Sequence, residues 1–221
     1  MFLCYITDRR GFEGTETQQR LALLKRITLA AHAGVDYIQL REKDLVPRAL
    51  EQLAHAALRA VRGNSETTRL IINGRADIAL AAGADGVHLP AGELAPSEIR
   101  TLWMRCSTRC PIIGVSAHSP ADIRYANACG ANFAVLAPVF EKAPTYAEGI
   151  GVDALRAACN GGASADNAEA TPESHFPVLA LGGVTVANAR NCLDAGAAGV
   201  AGIRLFQQGD VAETVRQLRE L

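Results

Sequence analysis

Three polar side chains stand two residues apart early in the chain, Gln39, Arg41 and Lys43, within the run Gln-Leu-Arg-Glu-Lys-Asp. In an extended segment alternate residues share a face, so this spacing converges two cations and an amide on one anionic group. Other short apolar runs end in a similar way. One closes on Asn73-Gly74-Arg75, one on Ser116-Ala117-His118, and one on Pro138-Val139-Phe140-Glu141-Lys142. An imidazole just beyond an apolar run suits proton transfer near neutral pH, which makes His118 the sharpest single candidate for chemistry. His88 sits inside its run, where a hydrogen-bonded core histidine competes with ligand contact. His32, His55 and His175 fall on helical or irregular stretches and carry no assigned role.

A second set of positions suits phosphate. Leu181-Gly182-Gly183-Val184-Thr185 leads into a helical pattern, and the next apolar run ends Gly202-Ile203-Arg204. Bare backbone N–H groups beside a helix start can face an anion with no Cβ in the way, and Arg204 can add a charge-assisted bond. The competing explanation for these glycines is close helix–sheet packing.

The elements that must hold these residues are readable from a repeated phrase. AGVDYIQL (33–40), AGADGVHL (82–89), CGANFAVL (129–136) and AGAAGVAGI (195–203) each join a helical stretch, through a glycine, to a short apolar run. Glycine there suits a left-handed helix end, and a nearly all-apolar run suits a strand covered by helices. Eight strands are expected, at 3–7, 37–41, 69–73, 86–90, 111–117, 133–140, 177–183 and 199–203. Helical patterns lie between them, notably 18–33, 46–62, 76–82 and 188–195, with a closing helix at 211–221. This alternation predicts a (β/α)8 TIM barrel, with an open doubly wound sheet as the runner-up; no Gly-x-Gly-x-x-Gly follows the first strand. The expectation is one domain over 1–221, with a mobile insertion at 160–176, where Ala, Ser, Asn and Glu show no apolar period.

Composition narrows the function. The chain has 221 residues, 49% hydrophobic and 5% aromatic, with a formal net charge of −1. No Lys/Arg run exceeds a pair, so nucleic acid is a poor partner and a small uncharged or anionic ligand fits better. The N-terminal apolar stretch before Asp8 is too short for a signal segment, no membrane span follows, and a cytoplasmic location is expected. The six cysteines read as structural thiols; Cys106 and Cys110 supply only half a metal site. Apolar helix faces would serve a homo-oligomer or the barrel equally.

Tyr5-Ile6-Thr7-Asp8, Gln39 to Lys43, Gly83 to Leu89, Gly114 to His118 and Leu181-Gly182-Gly183 together resemble the thiamin phosphate synthase superfamily, in order along nearly the whole chain outside 160–176. The resemblance implies a TIM barrel acting on a phosphorylated thiazole, in one of two branches. The synthase couples a pyrimidine diphosphate to thiazole phosphate, and Mg²⁺ holds the departing pyrophosphate through aspartates after strands three and four. The TenI-like thiazole tautomerase needs no metal. Where the synthase pattern has Asn-Asp-Arg, this chain has Asn73-Gly74-Arg75. Where it has Gly-Gln-x-Asp, this chain has Pro90-Ala91-Gly92-Glu93, leaving Glu93, with Asp44, as carboxylates that could serve Mg²⁺ in a synthase. The Thr-x-Thr-Lys after strand six is replaced by Glu141-Lys142-Ala143-Pro144-Thr145, with Lys142 standing in for the lysine.

Asn-Gly-Arg and Leu-Pro-x-Gly are similar to the tautomerase branch, which is therefore the leading expectation. In it, His118 moves one proton from ring carbon to exocyclic carbon of a thiazole carboxylate phosphate. Arg41 and Lys43 steady the anion, Gln39, Asn73 and Ser116 orient substrate and base, and the strand-seven and strand-eight loops hold the phosphate. Thiamin phosphate synthase with Mg²⁺ is the alternative, and a non-catalytic protein that binds thiazole or thiamin phosphate is the third reading.

Overall fold

All eight expected strands form, and they close on one another. The computed structural model describes residues 1–140, 149–160 and 176–221. The strands are β1 (Phe2–Ile6), β2 (Tyr37–Leu40), β3 (Arg69–Asn73), β4 (Gly86–Leu89), β5 (Ile112–Ala117), β6 (Phe133–Leu136), β7 (Val178–Ala180) and β8 (Gly199–Gly202). Each pairs in parallel with the next, and β8 returns to β1, with Leu3 opposite Val200. The architecture is a (β/α)8 barrel. Strands six and seven stop short of their expected ends, at Leu136 and Ala180. Pro138 has no amide donor to continue the ladder, and Gly182 and Gly183 turn the chain with φ of +98° and +63°.

Helices α1 (Glu16–His32), α2 (Pro47–Arg62), α3 (Ala76–Ala82), α4 (Pro96–Cys106), α5 (Pro120–Ala128), α6 (Gly151–Asn160), α7 (Val186–Asp194), the short α8 (Arg204–Gln207) and α9 (Val211–Arg219) surround the barrel among the described residues. Their starts follow ordinary capping chemistry. Thr15 and Gln18 form a reciprocal box before α1, and Pro47 opens α2 where a missing N–H costs nothing. Leu50, Leu53, Ala54, Ala57, Leu58 and Val61 then line one buried face of α2 at helical spacing. The four glycine joints read from the sequence hold, with Gly34, Gly83, Gly130 and Gly196 all at positive φ. Of the segment 160–176, residues 161–175 lie outside the described residues.

Strand alternation sorts the core into two layers. Leu3, Tyr5, Ile38, Leu40, Leu70 and Ile72 face outward and meet the helices. Cys4, Ile6, Ile71, Phe133, Val135, Leu179 and Ala201 face inward. Tyr37 and Phe133 stack inside the barrel with centroids 4.9 Å apart, filling its N-terminal end. The inner face becomes polar only toward the C-terminal ends.

A buried ion pair ties the end of β2 to the segment after β1. Glu42 accepts from Thr7 Oγ1 at 2.7 Å, from the Arg9 backbone N–H at 3.1 Å and from Arg9 Nη1 at 3.0 Å. The two side chains are 1% and 4% exposed, so neither charge is solvated by water. Burial pushes the Glu42 carboxyl upward, and the bonds from Thr7 and Arg9 oppose that push. Arg9 also grips both oxygens of Asp44, at 2.7 Å each, and bonds Glu16 at 2.9 Å. Thr7 Oγ1 accepts from the Arg41 N–H at 2.9 Å, so one threonine links the pair to the next cation along the chain.

Truncating one member leaves the other buried and unpaired. Glu42→Ala is expected to cost about 3–5 kcal/mol, read as a lower urea midpoint with unchanged slope. Asp44 differs because it is partly exposed. The Arg9 bond holds its pKa down to about 2, so its contribution is full above its ordinary pKa of 3.8 and fades as pH falls toward 2. The stability gap between the parent and Asp44→Asn, at most about 1 kcal/mol, should therefore close in acid-unfolding curves.

Candidate active site

The C-terminal ends of the strands enclose a cavity of about 970 Å³. Gln39, Arg41, Lys43, Asn73, Ser116 and His118 all line it, as do Gly182, Gly183, Gly202, Ile203 and Arg204 from the far side. Residues separated by up to 165 positions thus meet at one mouth, as inward alternation on a closed barrel requires. Lys142 lies outside the described residues. Arg41 and Lys43 make no side-chain hydrogen bond or ion pair with the described residues. No Asp or Glu among the described residues lines the cavity. Its electrostatic character is therefore that of an anion receptor.

The rim histidine is held in a defined state. His118 Nδ1 lies 2.9 Å from the Ala137 carbonyl, and its backbone N–H donates to Asp122 Oδ2 at 2.8 Å. A carbonyl only accepts, so Nδ1 carries the hydrogen in the neutral ring and Nε2 keeps its lone pair. Asp122 also accepts from the Ser119 N–H at 3.0 Å, closing the cap of α5 and fixing the backbone that presents His118. These bonds, chiefly the one from His118, hold the Asp122 carboxyl below its ordinary range.

Ser116 bonds a different histidine. His88 Nε2 lies 3.0 Å from Ser116 Oγ, across the β4–β5 pair. Burial, with a smaller contribution from the Arg41 charge, lowers the His88 pKa to about 3, so its ring is neutral at physiological pH. A Cβ on Gly114 would stand 2.7 Å from His88 Nδ1 and 2.5 Å from Phe133 Cζ, so glycine there leaves room for both rings. Gln39 Nε2 and His88 Nδ1 are buried without a partner among the described residues. A buried polar atom left unpaired costs about 1–3 kcal/mol.

Two adjacent loops make the opposite wall. Gly182 takes φ +98°, and a Cβ on it would sit 2.8 Å from Pro138 Cα. The amide groups of Gly182, Gly183 and Val184 find no acceptor among the described residues. The Gly183 carbonyl, by contrast, is tied by Asn188 Nδ2 at 3.0 Å, and Asn188 Oδ1 accepts from the Thr185 N–H at 2.7 Å. The start of α7 thereby locks the loop with its unpaired amides free for an anion. After β8, Gly202 and Ile203 lead into α8, whose Gln207 accepts from Tyr5 Oη at 3.0 Å and donates to the Asp8 carbonyl at 2.7 Å. Gln207 carries no signal in the sequence, because nothing local marks a helical glutamine as an anchor for a strand far away in the chain. His88 was weighed but not chosen; its inward parity with Ser116 was the available signal.

Mg²⁺ prefers hard oxygen ligands in octahedral geometry, often one or two carboxylates with water and phosphate. The carboxylates proposed for it are poorly disposed. Gly74 supplies none, both Asp44 oxygens are engaged by Arg9, and Glu93 is exposed outside the cavity lining. Among the described residues no three His, Cys, Asp or Glu side chains cluster as a metal site. The described donor set does not fit the ion. No helix of the described residues is long and apolar enough to cross a membrane.

Comparison with known proteins gives a consistent result. The TMP-TENI family profile, described as Thiamine monophosphate synthase, matches residues 3–206. The chain is 40% identical over 222 residues to a Putative thiamine-phosphate synthase of Geobacter sulfurreducens, covering 99% of this chain and 93% of that one. It is 37% identical over 195 residues to a Thiamine-phosphate synthase of Methanoculleus marisnigri, covering 87% and 84%. Among solved structures, a thiamine phosphate pyrophosphorylase from Pyrococcus furiosus superposes with a TM-score of 0.76 at 27% identity, covering 99% of this chain and 94% of that one.

The glycine-loop wall yields a direct test. Any side chain at Gly182 meets the β6 loop and disfavours the left-handed backbone, at about 1–2 kcal/mol. Gly182→Ala should therefore lower the melting temperature and also reduce the additional stabilisation conferred by inorganic phosphate. A variant that is less stable yet gains as much from phosphate as the parent would remove these loops from the anion site.

Proposed function

The chain belongs to the Thiamine monophosphate synthase family, an enzyme family of thiamine biosynthesis, and from that premise we propose that it aromatises a thiazole carboxylate phosphate by proton transfer in the C-terminal cavity. The observation that carries this reading is the cavity's charge. Arg41, Lys43 and Arg204 line it, His118 stands at its rim with Nε2 unprotonated in the neutral ring, and no carboxylate among the described residues joins them. Isomerisation needs an anchor for the phosphate, a cation for the carboxylate and one group that moves a proton. All three have candidates here.

In the proposed reaction the substrate phosphate meets the amides of Gly182, Gly183 and Val184 and the strand-eight loop of Gly202, Ile203 and Arg204. Arg41 and Lys43 pair with the ring carboxylate. His118 Nε2 removes the proton from the ring carbon that bears the carboxylate. The electron pair shifts through the ring toward the exocyclic double bond, and the same nitrogen returns the proton to the exocyclic carbon. The product is the aromatic thiazole, with no atom gained or lost. The Ala137 carbonyl stabilises the imidazolium that exists between the two steps. Asn73, Gln39 and the Ser116–His88 pair orient the ring from the barrel floor.

Thiamin phosphate synthase is the second reading, and the names of the relatives favour it over the first. That reaction would need the charge of the departing pyrophosphate met by Arg41, Lys43 and Mg²⁺ held by residues other than those described in the cavity.

One assay in two arms separates the readings. The first arm supplies the non-aromatic thiazole carboxylate phosphate in EDTA; the second supplies thiazole phosphate, pyrimidine diphosphate and Mg²⁺. Aromatisation that survives EDTA, with no thiamin phosphate in the second arm, is the expected result. Metal-dependent thiamin phosphate formation alone would overturn it. His118→Ala should slow aromatisation by about 10²–10⁴-fold while substrate still raises the melting temperature. An unchanged rate would show that the proton travels by another group.

A further inference from the structure

A second cavity, of about 650 Å³, opens at the opposite end of the barrel. Its lining comes from the starts of β3 and β5, the ends of α2, α3 and α4 and the loops that follow α3 and α4, so it shares no residue with the site above. We propose that it binds a small phosphate ester with an aromatic or apolar body, between Arg69, Arg109 and the indole of Trp103.

Three arginines line this cavity, Arg62, Arg69 and Arg109, against one carboxylate, Asp85. Arg62 donates to the Gly83 carbonyl at 3.0 Å and so answers the carbonyl end of α3. Asp85 spends one oxygen on the Leu70 N–H, at 2.8 Å. Arg69 has a single bond, to the Glu66 carbonyl at 3.1 Å, and the Arg109 guanidinium has none among the described residues. Most of the donors on these two forks are therefore free, and a planar fork matches phosphate oxygens. None of the three arginines is ion-paired among the described residues, whereas Arg9, Arg75 and Arg216 elsewhere each hold a carboxylate.

The second, independent observation concerns Trp103. It is 3% exposed and lines the cavity, yet its Nε1–H has no acceptor among the described residues. A buried indole N–H usually finds a partner, and this one is closed to solvent in the free protein, so a ligand oxygen would reach it through a small turn of the indole toward the cavity. Leu80, Ala81 and Ile112 complete an apolar wall. A volume of this size suits a ligand larger than inorganic phosphate. Charge at one side and apolar surface at the other select an organic phosphate.

Trp103 is the only tryptophan in the chain, so its fluorescence reports this cavity and not the catalytic end. The test titrates phenyl phosphate into the parent protein, Arg109→Ala, Arg69→Ala and Arg204→Ala, with phenol and inorganic phosphate as partial probes. Arg69 and Arg109 are exposed, and circular dichroism checks that both variants fold. The expected result is a saturable fluorescence change with phenyl phosphate, at lower concentration than with either partial probe. Each of Arg109→Ala and Arg69→Ala should weaken it about tenfold or more, and Arg204→Ala should leave it unchanged. Absence of a saturable change, or a change lost in Arg204→Ala and kept in Arg109→Ala, would overturn the proposal. Turnover does not enter the readout, so failure here and failure of the proposed reaction are distinguishable.

Discussion

A guanidinium and a carboxylate shut away from water, Arg9 and Glu42, hold the cationic wall of the cavity in register. Burying either charge alone would be prohibitive, and the pair persists because each nitrogen of the Arg9 guanidinium and each oxygen of the Glu42 carboxylate has a hydrogen-bond partner nearby. Its position explains its presence. Arg41 and Lys43 stand on either side of Glu42 in the sequence, face the same cavity, and repel one another. A chain end carrying two unpaired like charges would bend toward whatever carboxylate was within reach. Glu42, turned the other way, is pinned by Thr7 and Arg9, and Thr7 takes the Arg41 amide as well. Arg9 also removes Asp44 from competition by occupying both its oxygens. The acids next to the cavity are thus neutralised outside it, and the cations within keep their charge for a ligand.

The same separation of duties runs through the barrel. Below the cavity, Tyr37 stacked on Phe133 and the inward Ile71, Val135 and Leu179 make a floor that excludes water. Polar atoms just above it, at Gln39 and His88, lack partners among the described residues. Such atoms lower stability and are tolerable because the helices outside bury a far larger apolar layer. Burial also keeps His88 neutral, while the exposed imidazole at the mouth, His118, is held by the Ala137 carbonyl. The outer layer carries most of the apolar burial, and the polar lining is confined to the inner upper one.

Period-two alternation and the glycine joints made the barrel legible in the sequence, because both are local consequences of strand and helix-end geometry. The rim residues were legible for the same reason: Gln39 and Arg41, or Ser116 and His118, share a face by parity and need no knowledge of the fold. What stayed hidden were pairings between distant positions. Ser116, expected with Gln39 and Asn73 to orient substrate and base, bonds His88, a pairing across two strands that the sequence does not display. Asp44 was available to a metal in the sequence and is committed to Arg9, thirty-five positions earlier, in the structure. Gln207 fastens the strand-eight loop to Tyr5, 202 positions away. No run or spacing marks Arg62, Arg69 and Arg109 as a group, since only the barrel brings the starts of β3 and β5 and the ends of α2, α3 and α4 around Trp103.

The relatives' names and the cavity's charge point to different reactions on a shared ligand, and the source of that tension is physical. Barrel closure, the loop after β7 with its unpaired amides and the anchored segment after β8 are common to both proposed reactions. Similarity along the whole chain therefore reports mostly the scaffold. The reaction depends on much less, namely which charges meet the ligand beyond its phosphate. A departing pyrophosphate calls for a cation, and a metal ion needs carboxylates to hold it. A proton moved between two carbons calls for a base with a lone pair and a counter-charge for the carboxylate. Gly74 supplies a turn with φ +66° and no carboxylate, and after β4 the acid, Glu93, stands outside the cavity lining. Arg41, Lys43 and His118 line the cavity with no carboxylate among the described residues, a set that matches the needs of a metal-free isomerisation better than those of a bound cation.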